Sequence, residues 1–345
     1  MAEYLVDDGA PRPSSAPALV DGTEGDIGAA RRGAGAIPRE VNRVDIDLST
    51  RIGPLVLANP IMPASGCFGP ELGALIPLHR LGALVTKTLF SATRSGNPAH
   101  RVADSGFGAL NSVGIPSPGF DRFRDEVLPA YDEPGVPVIA SIGGLTPGEY
   151  WQVTEQVAEL TVAALEVNVS CPNLEHGGLA IGADPEELYR VVVGVVERAA
   201  GLPVIVKLTP NVGSISEIAL ASQEAGAIAL TVANTFVGLA IDLERRRPVL
   251  GAGTGGYSGP GIKPLALRLV WESSRAVSIP VIGCGGIVSA ADAAEFLMAG
   301  AAAVQVGTAT FSQPAAMVQI VDDLPAQLAR LGMTSTSELV GSLAA

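Results

Sequence analysis

The chain has few cysteines and few lysines, and each scarcity excludes a class of protein. Its three cysteines, Cys67, Cys171 and Cys284, lie far apart and form no Cys-x-x-Cys pair. This spacing excludes a disulfide scaffold, a zinc ribbon and an iron–sulfur cluster held by this chain alone, so no metal site is predicted. Because unpaired thiols are typical of a reducing compartment, we expect the protein to be cytoplasmic.

Positive charge and long apolar runs are also lacking. The formal net charge of -13 argues against nucleic acid or an anionic membrane as the main partner. No uninterrupted apolar run reaches the roughly 18 residues that a membrane span needs. Residues 1–40 contain glycine, proline, alanine and acidic residues without periodicity, which predicts a disordered N-terminal extension. We expect residues 41–345 to form one catalytic domain.

From residue 44 onward, short apolar segments alternate with amphipathic ones. Residues 44–48 and 55–57 flank an Ile-Gly-Pro turn and predict a short N-terminal β-hairpin. Continuous β-branched runs follow, as expected for strands buried on both faces. These runs are residues 60–64, 83–86, 136–142, 164–169, 204–208, 228–232, 279–283 and 303–306.

The intervening amphipathic segments predict helices at residues 146–161, 184–199, 215–225, 263–276 and 290–299. Strands that alternate with helices in this way fit an α/β fold of the (β/α)8 TIM-barrel type. A doubly wound sheet is the alternative. Against it, no Gly-x-Gly-x-x-Gly motif follows the first strand.

Residues 164–173 end an apolar strand with polar side chains, namely Asn168, Ser170, Cys171 and Asn173. The proline at position 172 cannot donate to a sheet, so the strand ends there. Parallel α/β folds place their chemistry at such strand ends. No Cys–His or Ser–His–Asp order is visible, so Cys171 is a better candidate for a base than for a protease-like nucleophile. The alternative is a buried, inert cysteine.

Lysine is represented only by Lys87, Lys207 and Lys263 among 22 basic residues. Lysine is a slim point charge that fits a tight site better than the planar fork of arginine. Lys87 and Lys207 lie at the ends of predicted strands, where a structural ion pair is the alternative to a functional cation. Lys263 opens a predicted helix and is interpreted as a surface charge.

Glycine-rich loops follow the last two predicted strands, at residues 283–287 and 306–308. Barrels often bind phosphate between these loops through backbone N–H groups. The further glycine-rich segment at residues 253–261 could cover a planar cofactor or be a flexible loop. Asparagines at 111 and 234 add amides at further loop ends, although isolated asparagines are usually turn residues.

Together these residues resemble the class 1 dihydroorotate dehydrogenases, across nearly everything after residue 43. Cys171 stands where class 1 enzymes have their catalytic base. Residues 175–178 and 247–251 are more similar to the NAD-linked 1B subclass than to the fumarate-using 1A subclass. The motifs that carry the resemblance are residues 62–66, 85–88, 110–114, 168–173, 206–208, 234–235, 258–259, 285–286 and 307–308.

The resemblance implies a bound FMN. Its phosphate would be held by Gly259, Gly285, Gly286, Gly307 and Thr308. The rest of the flavin would be surrounded by Ser65, Lys87, Thr88, Ser141, Asn168, Lys207 and Ala233. Ser141 is a departure, because 1B relatives typically carry asparagine at this position.

The resemblance also implies oxidation of dihydroorotate to orotate in de novo pyrimidine biosynthesis. Cys171 would remove the proton from C5 while hydride leaves C6 for the flavin, and Lys87 would meet the substrate carboxylate. A partner subunit carrying FAD and an iron–sulfur cluster would accept the electrons, and two copies of the chain would form a homodimer core. The substrate would contact Lys87, Asn111, Ser112, Val113, Gly114, Ile115, Asn168, Asn173, Asn234 and Thr235.

Three other functions remain open at this point. A dihydropyrimidine dehydrogenase has similar motifs but a substrate without a carboxylate. A Schiff-base aldolase would use Lys207, since barrels host such lysines at strand ends. A non-catalytic barrel could act as a binding subunit.

Overall fold

A computed structural model gives the fold and describes residues 46–170 and 180–344. The predicted extension at residues 1–40 and the site residues Cys171 and Asn173 lie outside the described residues. Within the described ranges the strands are, in chain order, β1 (Thr50–Ile52), β2 (Leu55–Leu57), β3 (Ile61–Pro63), β4 (Leu84–Val85), β5 (Thr93–Arg94), β6 (Val102–Asp104), β7 (Ala109–Asn111), β8 (Ser117–Pro118), β9 (Val138–Ile142), β10 (Ala164–Asn168), β11 (Val204–Lys207), β12 (Ala229–Val232), β13 (Phe236–Gly238), β14 (Ile241–Asp242), β15 (Arg247–Pro248), β16 (Gly255–Ser258), β17 (Val281–Cys284) and β18 (Ala301–Val306).

The central sheet has eight parallel strands in the order β3-β18-β17-β12-β11-β10-β9-β4. This order follows the chain, so each strand lies beside the next one along the sequence. The sheet is nearly closed, because Gly82 N, just before β4, donates a hydrogen bond of 2.8 Å to Ile61 O in β3. Each predicted strand is found, and the predicted (β/α)8 barrel is confirmed in place of the doubly wound alternative.

Helices cover the outside of the barrel. Thr146 and Asp184 cap the helices Pro147–Val157 and Pro185–Arg198 with side-chain oxygens that accept hydrogen bonds from backbone N–H groups of the first turn. The five predicted helices are confirmed as α3 to α7, each to within a few residues. The described helices are α1 (Phe120–Arg122), α2 (Leu128–Asp132), α3 (Pro147–Val157), α4 (Pro185–Arg198), α5 (Ile215–Glu224), α6 (Lys263–Ala276), α7 (Ala290–Met298), α8 (Ala309–Ser312), α9 (Ala316–Arg330) and α10 (Thr336–Leu339).

Shorter helical turns complete the described structure. A π-helical turn, Phe123–Val127, separates α1 from α2. In the described part of the chain, no helix combines the length and the apolar character needed to cross a membrane. The 3₁₀ helices are Pro70–Ala74, Leu78–Arg80, Ile181–Ala183 and Pro260–Ile262.

The β-hairpin closes the N-terminal end of the barrel. Ile52 and Leu57 are fully or almost fully buried against the first inward-facing residues of the barrel strands, such as Ala164 and Ala229. The predicted first hairpin strand at residues 44–48 is wrong for its described residues. Asp47 N instead donates to Thr334 O at 2.9 Å, so this segment lies along the C-terminal part of the chain.

An antiparallel sheet of four strands, in the order β13-β16-β7-β6, is built from the segments that follow the barrel strands. It contains much of the glycine-rich segment at residues 253–261, which the sequence left as a cofactor cover or a flexible loop. Strand β16 runs through this segment and pairs Gly256 with Asn111. The interpretation as a flexible loop is therefore wrong.

Candidate active site

A layer of polar side chains lies inside the barrel, towards the C-terminal ends of the strands. Side chains alternate along a strand, so a residue two positions after an inward-facing one also points inward. Inward-facing apolar residues of β9, β10, β11, β12, β17 and β18 are each followed in this way by a buried polar residue or thiol. These six residues are Ser141, Glu166, Lys207, Thr231, Cys284 and Gln305.

Lys207, Gln305 and Glu166 form a connected group in this layer. Lys207 Nζ donates to Gln305 Oε1 at 2.9 Å, and Gln305 Nε2 donates to Glu166 Oε2. Thr231 Oγ1 donates to the same carboxylate oxygen at 2.9 Å. Lys207 Nζ lies 4.0 Å from the other oxygen, Glu166 Oε1. The buried ammonium group therefore has a buried carboxyl group beside it, as charged groups inside proteins usually have a partner.

These surroundings alter the acidity of the groups involved. Burial by itself lowers the pKa of Lys207, but the acidic groups of Cys284, Glu166 and Cys67 outweigh burial and raise it. Burial raises the pKa of the Cys67 thiol to about 11, and it raises the pKa of Cys284 as well. Both thiols therefore stay protonated at neutral pH.

A hydrogen-bonded network joins five of the predicted residues at the mouth of the barrel. Thr88 Oγ1 is its centre, at 3.1 Å from Ser65 Oγ and 3.0 Å from Ser141 Oγ. Asn168 Nδ2 donates to Thr88 Oγ1 at 3.3 Å, and Asn234 Nδ2 donates to Asn168 Oδ1 at 3.2 Å. Ser65, Thr88, Ser141, Asn168 and Asn234, which are far apart in the sequence, thus meet at one end of the barrel.

The predicted substrate loop at residues 111–115 reaches the same mouth through the antiparallel sheet. Asn111 Nδ2 donates to Gly256 O at 3.2 Å, and Thr235 Oγ1 lies directly against Gly256. Asn97 holds the rest of the loop through Ser112 Oγ (2.8 Å) and the carbonyl of residue 113 (3.0 Å). Gly114 and Ile115 both have positive φ, so the loop turns sharply after residue 113.

The predicted phosphate residues come together beside the start of α6. Gly286 has φ +78, and a Cβ placed on it would lie 2.8 Å from the backbone nitrogen of Lys263. Thr308 Oγ1 donates to Ser258 Oγ at 2.8 Å, which connects the last barrel loop to the one that precedes Gly259. Gly285 faces α6 as well, and Gly307 lies beside the Cys67 thiol. Glycines here leave backbone N–H groups open to close approach.

The remaining predicted residues have distinct surroundings. Ala233 is buried and its N–H donates to Cys284 O at 3.1 Å. Lys87 is exposed, yet the protein around its ammonium group and the nearby Arg101 cation lower its pKa, while Glu71 acts in the opposite direction. Lys263 does open a helix, but it is no solitary surface charge, because its Nζ pairs with Asp292 at 2.7 Å and Glu295 at 2.9 Å.

Sequence reasoning missed Glu166 and Gln305. Gln305 is the one polar residue of β18, and Glu166 lies between apolar residues of β10. That was the available signal, because such residues are rarely buried without partners. It also missed Arg101, whose charge acts on Lys87. The positions of Cys171 and Asn173 lie outside the described residues, so their predicted roles stay predictions.

The sequence is similar to those of known proteins. Residues 47–328 match the sequence profile of the family described as dihydroorotate dehydrogenase. The chain belongs to the dihydroorotate dehydrogenase family. This membership supports the resemblance on which the site was predicted, and it argues against the aldolase and the non-catalytic barrel.

Curated dihydroorotate dehydrogenases cover most of the chain. A protein of Trichlorobacter lovleyi is 48% identical over 299 residues, which are 86% of this chain and 98% of that protein. A protein of Geotalea uraniireducens is 45% identical over 300 residues, covering 86% and 98%. One of Geobacillus kaustophilus is 47% identical over 307 residues, covering 87% and 96%. All three are named dihydroorotate dehydrogenase B (NAD(+)), catalytic subunit.

Proposed function

We propose that this chain oxidises dihydroorotate to orotate in pyrimidine biosynthesis, with FMN held at the C-terminal end of the barrel. The observation that carries the proposal is the convergence of the Thr88 network, the Lys207 layer and the glycine loops on one end of the barrel. Family membership supplies the reaction, since dihydroorotate dehydrogenases are flavin-dependent oxidoreductases.

The residues present fit a flavin mononucleotide. A dianionic phosphate needs open backbone N–H groups and hydroxyls, and Gly285, Gly286 and Thr308 offer both beside the start of α6. An isoalloxazine ring has donors and acceptors along one edge, which suit the amide of Asn168 and the hydroxyls around Thr88. Lys207 supplies a buried cation, which suits a ring that gains negative charge on reduction.

Dihydroorotate would be held by groups at the same mouth. The amides of Asn111, Asn168 and Asn234 would bind the polar edge of the pyrimidine ring. Lys87 and the nearby Arg101 cation supply local positive charge on a chain whose net charge is -13. An anionic substrate needs such a charge, because the rest of the protein repels it.

The chemistry divides between a proton and a hydride. Cys171 would take the proton from C5 as its thiolate, and C5 and C6 are left joined by a double bond. When bound, the flavin would accept the hydride from C6. A thiolate forms near neutral pH only where positive charge or hydrogen-bond donors stabilise it, so we expect cations of the site to lie near Cys171.

We further propose that the electrons leave through a separate subunit that carries FAD and an iron–sulfur cluster and reduces NAD⁺. Two facts support this. The curated relatives are named catalytic subunits of NAD(+)-linked enzymes. Within the described residues, no group of three or more histidine, cysteine or acidic side chains could hold a metal ion.

Two chains would form the core of the assembly. Val237, Leu239, Ile241 and Leu243 expose more than half of their surface, and such a row of apolar side chains is typical of an interface. The cytoplasm is the compartment that we propose, because Cys67 and Cys284 are free thiols. Light scattering on the purified chain tests the dimer, and a monomeric mass at micromolar concentration contradicts it.

The visible spectrum of the purified chain tests the proposed function. We expect a yellow protein whose flavin bands are bleached by dihydroorotate without oxygen, and which reduces an artificial acceptor but reduces NAD⁺ poorly. A colourless protein, or flavin that dihydroorotate does not bleach, contradicts the proposal. Efficient NAD⁺ reduction by the single chain contradicts only the partner subunit.

Dihydrouracil is the matched control substrate, because it lacks the carboxylate that Lys87 would bind. We expect it to bleach the flavin far more slowly than dihydroorotate does. In Lys87→Gln we expect the KM for dihydroorotate to rise at least tenfold and the preference over dihydrouracil to shrink. Equal turnover of the two substrates by the unaltered chain would favour a dihydropyrimidine dehydrogenase.

A further inference from the structure

Glu166 is a buried carboxylate that the proposed reaction does not use. None of its surface is exposed, and it lies in the interior polar layer, beneath the mouth where substrate and flavin would bind. One of its oxygens, Oε2, accepts hydrogen bonds from Thr231 and Gln305. The other, Oε1, has no hydrogen-bond partner among the described residues and lies 4.0 Å from Lys207 Nζ. A buried charge of this kind is costly, so its presence calls for a reason.

The side-chain amide of Gln305 connects Glu166 to Lys207 and has one orientation between them. Its amide oxygen accepts from the ammonium group, and its amide nitrogen donates to the carboxylate. This orientation needs a donor on the lysine side and an acceptor on the glutamate side. The bridge therefore joins the ammonium group to the carboxyl group and keeps the ammonium group in one position.

We propose that Glu166 is a positioning residue which, through Gln305, keeps Lys207 in place and in its charged form, and thereby sets the reduction potential of the bound flavin. This inference rests on the proposed function, because it needs a flavin within reach of Lys207. Without Glu166, the ammonium group would be a buried cation with no carboxylate beside it in the part of the chain that the structure describes. Burial would then favour the neutral amine.

The sign of the effect depends on pH. Among the described residues, Lys207 faces three titratable groups, namely Glu166, Cys284 and Cys67, and both thiols stay neutral near pH 7 because burial raises their pKa. In Glu166→Gln at low pH, Lys207 stays charged without a counter-charge and attracts electrons to the flavin more strongly. As the pH rises, the amine loses its proton, and reduction of the flavin then requires that proton to be taken up again.

The flavin midpoint potential, measured against pH in the holoenzyme, tests this. For Glu166→Gln we expect a more positive potential than wild type at pH 6, by tenfold in the two-electron equilibrium constant, or about 30 mV. We also expect a steeper fall between pH 6 and pH 9. If the plot of midpoint potential against pH for Glu166→Gln is parallel to the plot for wild type, the proposal is overturned, whatever the offset between the two plots.

Thr231→Val is the matched control. It removes a hydrogen bond to the same carboxylate oxygen but leaves the charge of Glu166 in place. We expect its potential to follow the wild-type slope, whereas a merely structural role for Glu166 would move both variants alike and would overturn the proposal.

Two further outcomes are separable. If Glu166→Gln does not fold, Glu166→Asp is the substitute, because it withdraws the carboxylate by one methylene. We expect its midpoint potential to fall with pH more steeply than that of wild type, but less steeply than expected for Glu166→Gln. A plot parallel to that of wild type again overturns the proposal. A wild-type chain that binds no flavin overturns the proposed function together with this inference. A flavoprotein that oxidises dihydroorotate but shows parallel lines overturns this inference alone.

Discussion

Asn234 donates a hydrogen bond of 3.2 Å to Asn168 Oδ1, and this bond joins two strand ends that are 66 residues apart in the sequence. The same oxygen accepts from Ser170 N at 3.2 Å, so the amide nitrogen of Asn168 is left to donate to Thr88. The amide is thereby held in one orientation. A flavin or a substrate that binds here meets donors and acceptors already in place, which lowers the cost of binding.

Thr88→Val tests how much this network contributes. Thr88 is buried, and its hydroxyl is the common partner of Ser65, Ser141 and Asn168. Valine has nearly the same shape but removes the hydrogen bond that each of these groups makes to Thr88. We therefore expect the free energy of unfolding to fall by about 2 kcal/mol. We also expect weaker FMN binding. Urea unfolding and flavin titration of the apoprotein measure the two effects.

Thr154→Val is the control for that change. Thr154 is equally buried, but its hydroxyl donates only to Tyr150 O within α3. We expect Thr154→Val to lower the free energy of unfolding by less than about 1 kcal/mol and to leave FMN binding unchanged. Equal losses in the two variants would show that the Thr88 hydroxyl has no special role.

The barrel was predictable because its strands are buried on both faces. Residues 204–206 and 228–232, for example, are continuous runs of β-branched and other mainly apolar residues, which are typical of strands buried on both faces. The hairpin was harder. Residues 44–48 alternate as a surface strand does, but Asp47 pairs with the backbone of Thr334, a contact that local pattern cannot reveal.

The site was predictable where motifs carried it and not where the barrel assembles it. Asn168 was found because it ends a recognisable strand, and Thr88 because it lies in a motif that carries the family resemblance. Glu166 and Gln305 were missed because their relation to Lys207 depends on how β10, β11 and β18 are staggered across the barrel interior. Helix α9 was missed as well, since Pro325 lies within it and a proline usually indicates a helix end.

Replacement of Cys171 tests the predicted base. We expect Cys171→Ala to keep the flavin and to bind orotate but to lose turnover by 100-fold or more, the range expected for a general base, roughly 10²–10⁴. Cys171→Ser should regain activity only at high pH, since a hydroxyl is a much weaker acid than a thiol. Anaerobic rapid mixing with dihydroorotate measures flavin reduction directly.

Cys284→Ala provides the matched control for thiol loss. Cys284 is a buried thiol in the polar layer, and burial raises its pKa, so it is not expected to act as a base. It should retain most of the wild-type rate. Turnover of Cys171→Ala within a few-fold of wild type at neutral pH would show that the base is another group.

Gly286→Ala tests the predicted phosphate loop. Gly286 has φ +78, and a Cβ there would lie 2.9 Å or less from backbone and side-chain atoms of Lys263. The left-handed backbone conformation of alanine and the overpacking should together lower the free energy of unfolding by about 3 kcal/mol. Because the loop must move, we expect FMN affinity to fall at least tenfold, as measured by flavin fluorescence on titration of the apoprotein.

Gly332→Ala separates the two causes. Gly332 has φ +74 but no atom within 4 Å of an added Cβ, so only the backbone cost of about 1 kcal/mol applies. FMN affinity should be that of wild type. If both variants lose the same stability and neither loses FMN, the contact between Gly286 and α6 does not shape a phosphate site.

Asp292→Asn tests the ion pair that ties this loop to α6. Asp292 accepts hydrogen bonds from Val288 N at 3.0 Å, Ser289 Oγ at 2.8 Å and Lys263 Nζ at 2.7 Å. Burial alone raises the pKa of Asp292, but these partners outweigh burial and lower it below the ordinary 3.8. We expect the free energy of unfolding of the variant at pH 7 to be about 2 kcal/mol lower than that of wild type.

The pH dependence of this loss follows from the lowered pKa. A carboxyl with a depressed folded-state pKa contributes stability that is fully present above its unfolded pKa and is lost as the pH falls through the folded value. The difference between wild type and Asp292→Asn should therefore be largest at neutral pH and shrink below about pH 4. Asp322→Asn, which breaks an exposed pair with Arg80, should show a much smaller difference. Urea unfolding from pH 7 to pH 3 measures both, and a difference for Asp292→Asn that stays constant with pH would mean that its charge does not stabilise the loop.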